Sequence, residues 1–263
     1  MTYQTILFER IGRVAKITIN RPEAMNAINV QAWNDLGNAF ERFVADEDLW
    51  AAVLTGAGDR CFCAGADLKE VASGVLLQQT EQMQRWGFAG LVKQYADKPV
   101  IAAVNGHALG GGTELALFSD IVIASRTANF GLPEVKRGLV AAAGGLLRLP
   151  RQIPLKVAMQ HILTGDPMSA EKALRWGLIN EVVEPGEVVA TALALAQRIC
   201  ENSPIAVRAS KDIIHRSLMS DLEADGDAWR ISAEGAARNR ASADAIEGPR
   251  AFAEKRAPVW TGR

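Results

Sequence analysis

The sequence predicts an α/β fold with a helical C-terminal part. Three observations carry that expectation. Short β-branched runs alternate with amphipathic stretches through roughly the first 140 residues. Helical patterns, two of them opening on proline, dominate from Gly144 onward. The chain has 263 residues, 49% of them hydrophobic and 22% charged, enough for a sizeable core.

Residues 5–9 and 14–20 read as two short strands joined through Ile11-Gly12-Arg13. Ile17-Thr18-Ile19 alternates apolar and polar, and Asn20-Arg21-Pro22 ends the second strand. Asn29 suits a helix N-cap, and a helix follows to Ala45 with Trp33, Leu36, Phe40 and Phe43 on one face. Residues 52–55 form a short buried strand that leaves through Gly56-Ala57-Gly58-Asp59. Residues 81–95 predict one helix, stopped before Pro99. Residues 100–104 are the most strand-like run, 105–112 a loop, 113–119 a short helix and 120–124 another strand. Helices are then expected over 145–151, 154–164, 169–176, 186–202, 204–217 and 221–238, with one late strand at 178–183. Pro154 and Pro204 fit first-turn positions, Ser169-x-Glu171 opens a helix and Gly177 closes it.

Composition excludes several function classes. Lys+Arg is 29 and Asp+Glu is 30, a formal net charge of -1, which is a poor match for nucleic acid or an anionic membrane surface. No apolar run approaches the roughly 20 residues that a spanning helix needs. The N-terminal residues show no basic segment followed by an apolar block, so no leader is expected and the cytoplasm is the expected compartment. Cys61, Cys63 and Cys200 fit neither a redox pair nor a zinc set and read as free thiols. His107, His161 and His215 are far apart in sequence, and no metal is expected.

The densest chemical signal is Asn105-Gly106-His107-Ala108-Leu109-Gly110-Gly111-Gly112-Thr113-Glu114. A phosphate loop would need lysine where Gly112 stands, and G-x-G-x-x-G is absent. The glycines let backbone approach a ligand, and a helix starting there presents unpaired N–H groups at its positive end. That suits an oxygen gaining negative charge. A turn needed only for tight packing fits the glycines equally. Glu114 falls in the helix's first turn. A second carboxylate, Glu134, follows Phe130-Gly131-Leu132-Pro133 in apolar company. Two such glutamates could divide acid and base roles. Ala64-Gly65-Ala66-Asp67 offers either a second backbone donor or a tight turn capped by Asp67.

Together these segments resemble the crotonase superfamily, the enoyl-CoA hydratase/isomerase family. The matching pieces run nearly end to end and in order: Asn20-Arg21-Pro22 with Asn26-Ala27, Cys63-Ala64-Gly65-Ala66-Asp67-Leu68, residues 105–114 with Leu115-Ala116, 120–124, and 130–134. Gly144-Gly145 with Arg148-Leu149, residues 173–180 with Val182-Val183, and Phe252-x-Glu254-Lys255-Arg256 complete them. The resemblance implies a ββα spiral core over 1–195 and a helical C-terminal trimerisation region over 196–263. It implies an acyl-CoA thioester substrate, no separate cofactor, and a homotrimer or dimer of trimers. Its oxyanion hole maps onto the N–H groups of Ala66 and Gly111. Ala24, Ala64, Ala66, Asp67, Leu68, Lys69 and Gly111 map onto the substrate path. Phe252 and Lys255 map onto contacts with a neighbouring subunit's CoA, and residues 69–86 onto the acyl pocket.

Hydratases of the family are similar to this chain in carrying glutamates at both acid/base positions, here Glu114 and Glu134. Hydration needs a water placed at Cβ and a proton delivered to Cα, whereas an isomerase only relays a proton. Enoyl-CoA hydratase is therefore the expected activity. Residues 130–139 and 173–180 also look like carnitinyl-CoA dehydratases (crotonobetainyl-CoA hydratases). The same resemblance leaves room for an enoyl-CoA isomerase and for a non-catalytic CoA-binding protein. Val140-Ala141-Ala142-Ala143 departs from the commonest hydratase pattern and bears on the acyl group rather than on the reaction. Trp33, Trp50, Trp86 and Trp176 read as packing residues, His107 as a turn residue, and Arg148, Arg151 and Lys156 as a solvated face.

Overall fold

The computed structural model describes residues 2–220 and 226–263. The chain opens with the antiparallel pair β1 (Ile6–Ile11) and β2 (Val14–Ile19), then α1 (Val30–Ala45). The Asn29 side chain caps α1 by accepting from the Ala32 N–H at 2.8 Å. Trp33, Leu36, Phe40 and Phe43 are all buried on its inner face.

Each subsequent turn of chain lays one long strand and one short strand, then a helix. β3 (Ala51–Gly56) is followed by β4 (Cys61–Cys63), α2 (Leu68–Ala72) and α3 (Glu81–Trp86). β5 (Val100–Val104) is followed by β6 (His107–Leu109) and α4 (Gly111–Phe118). β7 (Ile121–Ser125) is followed by β8 (Asn129–Gly131), a 3-10 turn at Pro133–Arg137, α5 (Gly145–Gln152) and α6 (Leu155–Thr164). The long strands join one sheet in the order β1-β2-β3-β5-β7-β10, with β10 at Glu181–Val183. The short strands join a second sheet in the order β4-β6-β8-β9, with β9 at Met168–Ser169. This is the strand-strand-helix spiral that the sequence resemblance implies.

The uninterrupted apolar character of β3 and β5 has a physical cause: both faces of the large sheet are covered. Alternate residues split between two cores. Ala52, Leu54, Val100, Ala102 and Val104 join α1 in the main core. Ala51, Val53, Ile101 and Ala103 meet Val188, Ala192 and Ala196 of α8 (Val188–Cys200). α7 (Ala170–Arg175) precedes β10, and α9 (Pro204–Ser217), α10 (Asp227–Arg240) and α11 (Ala243–Ala253) complete the chain. Arg208 of α9 pairs with Asp97 at 2.6 Å, and Lys211 with Asp120 at 2.6 Å, which ties the C-terminal helices to the body.

Several expectations are corrected. The helix expected over 81–95 ends at Trp86, because Gly87, Ala89 and Gly90 all take positive φ. That reversal brings Gly90 onto the backbone of Gly37 in α1, where a side chain would collide. The loop expected over 105–112 contains β6, and α4 starts at Gly111 rather than Thr113. β8 and β9, of three and two residues, were not foreseen, and neither was α11. The late strand is shorter than 178–183. Of the helix expected over 221–238, residues 221–225 lie outside the described residues and α10 runs on to Arg240.

Candidate active site

The small sheet assembles the site. Its strands β4, β6 and β8 are parallel neighbours. The segment leaving the end of each carries candidate groups: Ala66 after β4, Gly111 and Glu114 after β6, and Glu134 after β8. Functional groups at the carboxyl ends of adjacent parallel strands converge by topology alone.

Local bonds fix these exits. Gly110 donates to the Gly131 carbonyl at 2.8 Å. The Thr113 hydroxyl lies 2.7 Å from the Ala108 carbonyl and accepts from the Gly131 N–H at 3.0 Å, which stitches the start of α4 to β8. Gly110 holds φ 55 and ψ -124, a conformation that only glycine takes without strain. The Gly111 N–H opens α4 and has no acceptor within the helix. Gly65 and Asp67 make the bridge to Ile28, at 2.8 and 2.9 Å, leaving the Ala66 N–H outside that ladder. Gly65, the residue before Ala66, lies against the Gly111 nitrogen, so the two segments are packed together.

Both glutamates line one cavity of about 1710 Å³. Glu114 is 3% exposed and its Oε1 accepts the Gly145 N–H at 2.8 Å. Burial pushes its carboxyl up to about 7, and the nearby charge of Glu134 adds to the rise. The Gly145 N–H and the Arg148 guanidinium work the other way. Burial also raises the Glu134 carboxyl, opposed by Arg137. Glu134 Oε2 is buried and has no hydrogen-bond partner among the described residues. A carboxylate pair held in this way can polarise a small polar reactant between its members.

Ala64, Ala66, Leu68 and Gly111 line the same cavity, with Val71, Leu76, Gln79 and Gln84 from the 69–86 segment. Val140, Ala142 and Ala143 line it as well. The Asp67 side chain is engaged elsewhere: it caps α2 at the Lys69 N–H and pairs with Arg21 at 3.1 Å. Ala24 and Lys69 lie outside the lining. The turn holding Ala24 is bonded to the site through the Ala64 N–H and the Met25 carbonyl at 3.1 Å. Phe252 is 86% exposed at the end of α11, and Lys255 follows it with φ 54.

Trp33 and Trp86 are buried as expected of packing residues, although Trp33 also borders the cavity. His107 sits on β6 beside Asn129, outside the cavity. Arg148 corrects the sequence reading. It does not belong to a solvated face but turns inward to the cavity, where Nη2 donates to the Val92 carbonyl at 2.7 Å. Phe88 was also missed: its ring stands against Gly111 and meets Trp33 edge-on at 5.3 Å. The unbroken helix expected there had hidden it. Among the described residues, no group of three or more His, Cys, Asp or Glu is placed to hold a metal ion. No helix among them is long and apolar enough to cross a membrane.

Comparison with known proteins gives a consistent picture. The family model described as enoyl-CoA hydratase/isomerase matches residues 9–263. A carnitinyl-CoA dehydratase of Salmonella typhi is 42% identical over 265 residues, covering 99% of each chain. The crystal structure of an enoyl-CoA hydratase from Mycobacterium tuberculosis H37Rv superposes with a TM-score of 0.91 at 44% identity, covering 98% of this chain and 99% of that one. A carnitinyl-CoA hydratase from Mycobacterium avium superposes with a TM-score of 0.79 at 53% identity, covering both chains completely.

Proposed function

The chain belongs to the enoyl-CoA hydratase/isomerase family, and on that premise we propose that it is an enoyl-CoA hydratase. It adds water reversibly across the 2,3-double bond of a trans-2-enoyl-CoA thioester. The observation that carries this reading is the pair Glu114 and Glu134, raised on separate elements into one cavity beside the first turn of α4.

The thioester oxygen takes hydrogen bonds from the Ala66 and Gly111 N–H groups. Charge that develops on that oxygen in the enolate is stabilised there by fixed dipoles. Glu114 orients and deprotonates the water that attacks Cβ. Glu134 delivers the proton to Cα, and dehydration runs the same steps backward. Ala64 and Leu68 line the substrate path, and Ala24, Asp67 and Lys69 flank it. Phe252 and Lys255 reach the CoA of a neighbouring subunit. The enzyme works in the cytoplasm as a homotrimer or dimer of trimers, with no cofactor beyond the CoA of its substrate. Exposed Leu146, Leu147, Leu155, Met159 and Leu163 on α5 and α6 support an oligomer, since a monomer rarely leaves so much apolar surface in water.

The test is loss of the conjugated-thioester absorbance on a panel of trans-2-enoyl-CoAs, from short linear to long, branched and polycyclic, with crotonobetainyl-CoA included. Turnover in the wild type that is lost in Glu114→Gln and in Glu134→Gln is the expected result. Binding of CoA thioesters without turnover on any of them overturns the reading in favour of a binding protein. A shifted double bond without hydration indicates an isomerase. The full-length relatives named carnitinyl-CoA dehydratase favour a second reading, hydration of crotonobetainyl-CoA. It is the better one if that thioester outruns crotonyl-CoA.

A further inference from the structure

We propose that Arg148 is a positioning residue for Glu114: its guanidinium clamps the Gly144-Gly145 turn to the Phe88 wall of the cavity and thereby fixes the N–H that holds Glu114. The inference rests on the hydratase reading for its catalytic consequence, but its geometry does not.

Arg148 lies in the first turn of α5, and its own N–H returns to the Gly144 carbonyl at 2.8 Å. Its side chain folds back over that same turn. Nη1 lies against Gly144, on the face where a Cβ would be. Gly144 has φ 110, so the turn is shaped by the helix cap and covered by the guanidinium. Nη2 reaches across to the Val92 carbonyl at 2.7 Å. Val92 in turn donates to the Phe88 carbonyl at 3.3 Å. The Arg148 Cζ stands 5.8 Å from the Phe118 ring at the end of α4. One side chain therefore links α5, the glycine turn, the Phe88 segment and the helix that bears Glu114.

The glycine turn is what holds Glu114. The Gly145 N–H meets Oε1 at 2.8 Å, and there is little room around it: Leu132 and Ala141 crowd the same Cα. The charged groups facing Glu114 are Glu134, from the 3-10 turn after β8, and Arg148, from α5. Lys93, Arg137 and Arg151 line the wider cavity. Arg148 is thus the cation set against the burial of Glu114, and it also secures the turn.

The test uses the full-length protein with 13C-labelled glutamate carboxyls, with the Glu114 signal assigned by its loss in Glu114→Gln. In the wild type the signal is expected to titrate near 7. In Arg148→Gln its midpoint moves up by roughly half a unit to one unit. The acid limb of kcat/KM follows it, so activity falls about three- to tenfold at pH 6 and much less at pH 9. KM for the CoA thioester changes by less than about threefold. Arg148→Lys, which keeps the charge with a shorter reach, gives a smaller upward shift and decides the matter if the Gln variant does not fold. A Glu114 midpoint that moves in neither variant, or a loss of activity equal at every pH, overturns the proposal. Turnover retained in Glu114→Gln would instead sink the hydratase assignment, and the carboxyl titration would still report on the Arg148–Glu114 link.

Discussion

The Gly145 N–H donates to Glu114 Oε1 at 2.8 Å, joining two residues 31 positions apart in the chain. One end belongs to the first turn of α5 and the other to the first turn of α4. The bond matters because Glu114 is buried. A carboxylate without it would lose the backbone donor that most opposes its protonation.

The pH dependence of activity follows from that balance. In the proposed mechanism Glu114 must be ionised to accept a proton from water, and burial pushes its carboxyl up to about 7. The kcat/KM profile for hydration therefore rises with pH through an acid limb near 7. Replacing Glu114 by Gln removes the proposed base and is expected to lower kcat by about 10²–10⁴-fold. Steady-state rates on crotonyl-CoA across pH 5.5–9 check both statements.

Stability moves in the opposite sense to activity. A carboxyl raised from 4.5 to about 7 on folding binds its proton more tightly in the native state. Stability is therefore lost as pH climbs from 4.5 to 7, and the penalty is fully present above 7. Glu114→Gln escapes it while keeping an acceptor for Gly145. The variant is expected to be more stable than wild type at pH 8, by up to ~3 kcal/mol, with the gap closing toward pH 4.5. Thermal melts at the two ends of that range decide it.

Gly112 is fixed by close approach. A Cβ there would collide with the backbone carbonyl oxygen of Cys63, which β4 cannot move without breaking its pairing to β6. Gly112→Ala is expected to cost about 2–4 kcal/mol and to disturb the Ala66 loop with it. Gly138→Ala is the control. Nothing lies within 4 Å of its Cβ position, and only its φ of 68 penalises alanine, by about 1–2 kcal/mol. A urea melt that ranks the two alike contradicts this account.

Asp67 supports the Ala66 loop from behind, through its cap on α2 and its 3.1 Å pair with Arg21. Asp67→Ala is expected to cost about 1–2 kcal/mol of stability. Loosening the loop should lower kcat more than it raises KM, because the oxyanion contact proposed for Ala66 strengthens in the transition state. An effect confined to KM would instead make Asp67 a direct substrate contact.

Lys255→Ala separates the two ends of the substrate. If Lys255 reaches the CoA moiety as proposed, the change raises KM with little change in kcat, since such a contact is made equally in ground and transition states. A large fall in kcat with KM unchanged contradicts that role.

Local chemistry was legible before any fold was known. The Asn29 cap, the buried face of α1, the strands β3 and β5, and a short helix after the glycine run all follow from residue type and spacing. The motif residues Glu114 and Glu134 were legible individually for the same reason, and the order of the motifs carried the family. That they line one cavity follows from pairing between distant segments. β4, β6 and β8 are three residues each, too short for any periodicity to register, and their stability comes from pairing with one another across the chain. Their alignment sets Ala66, Gly111, Glu114 and Glu134 around one cavity. Phe88 and Arg148 were hidden likewise. The reversal at Gly87–Gly90 is forced by contact with α1, and the inward turn of Arg148 by a carbonyl 56 residues away. Neither partner is near in sequence, so neither leaves a local signal.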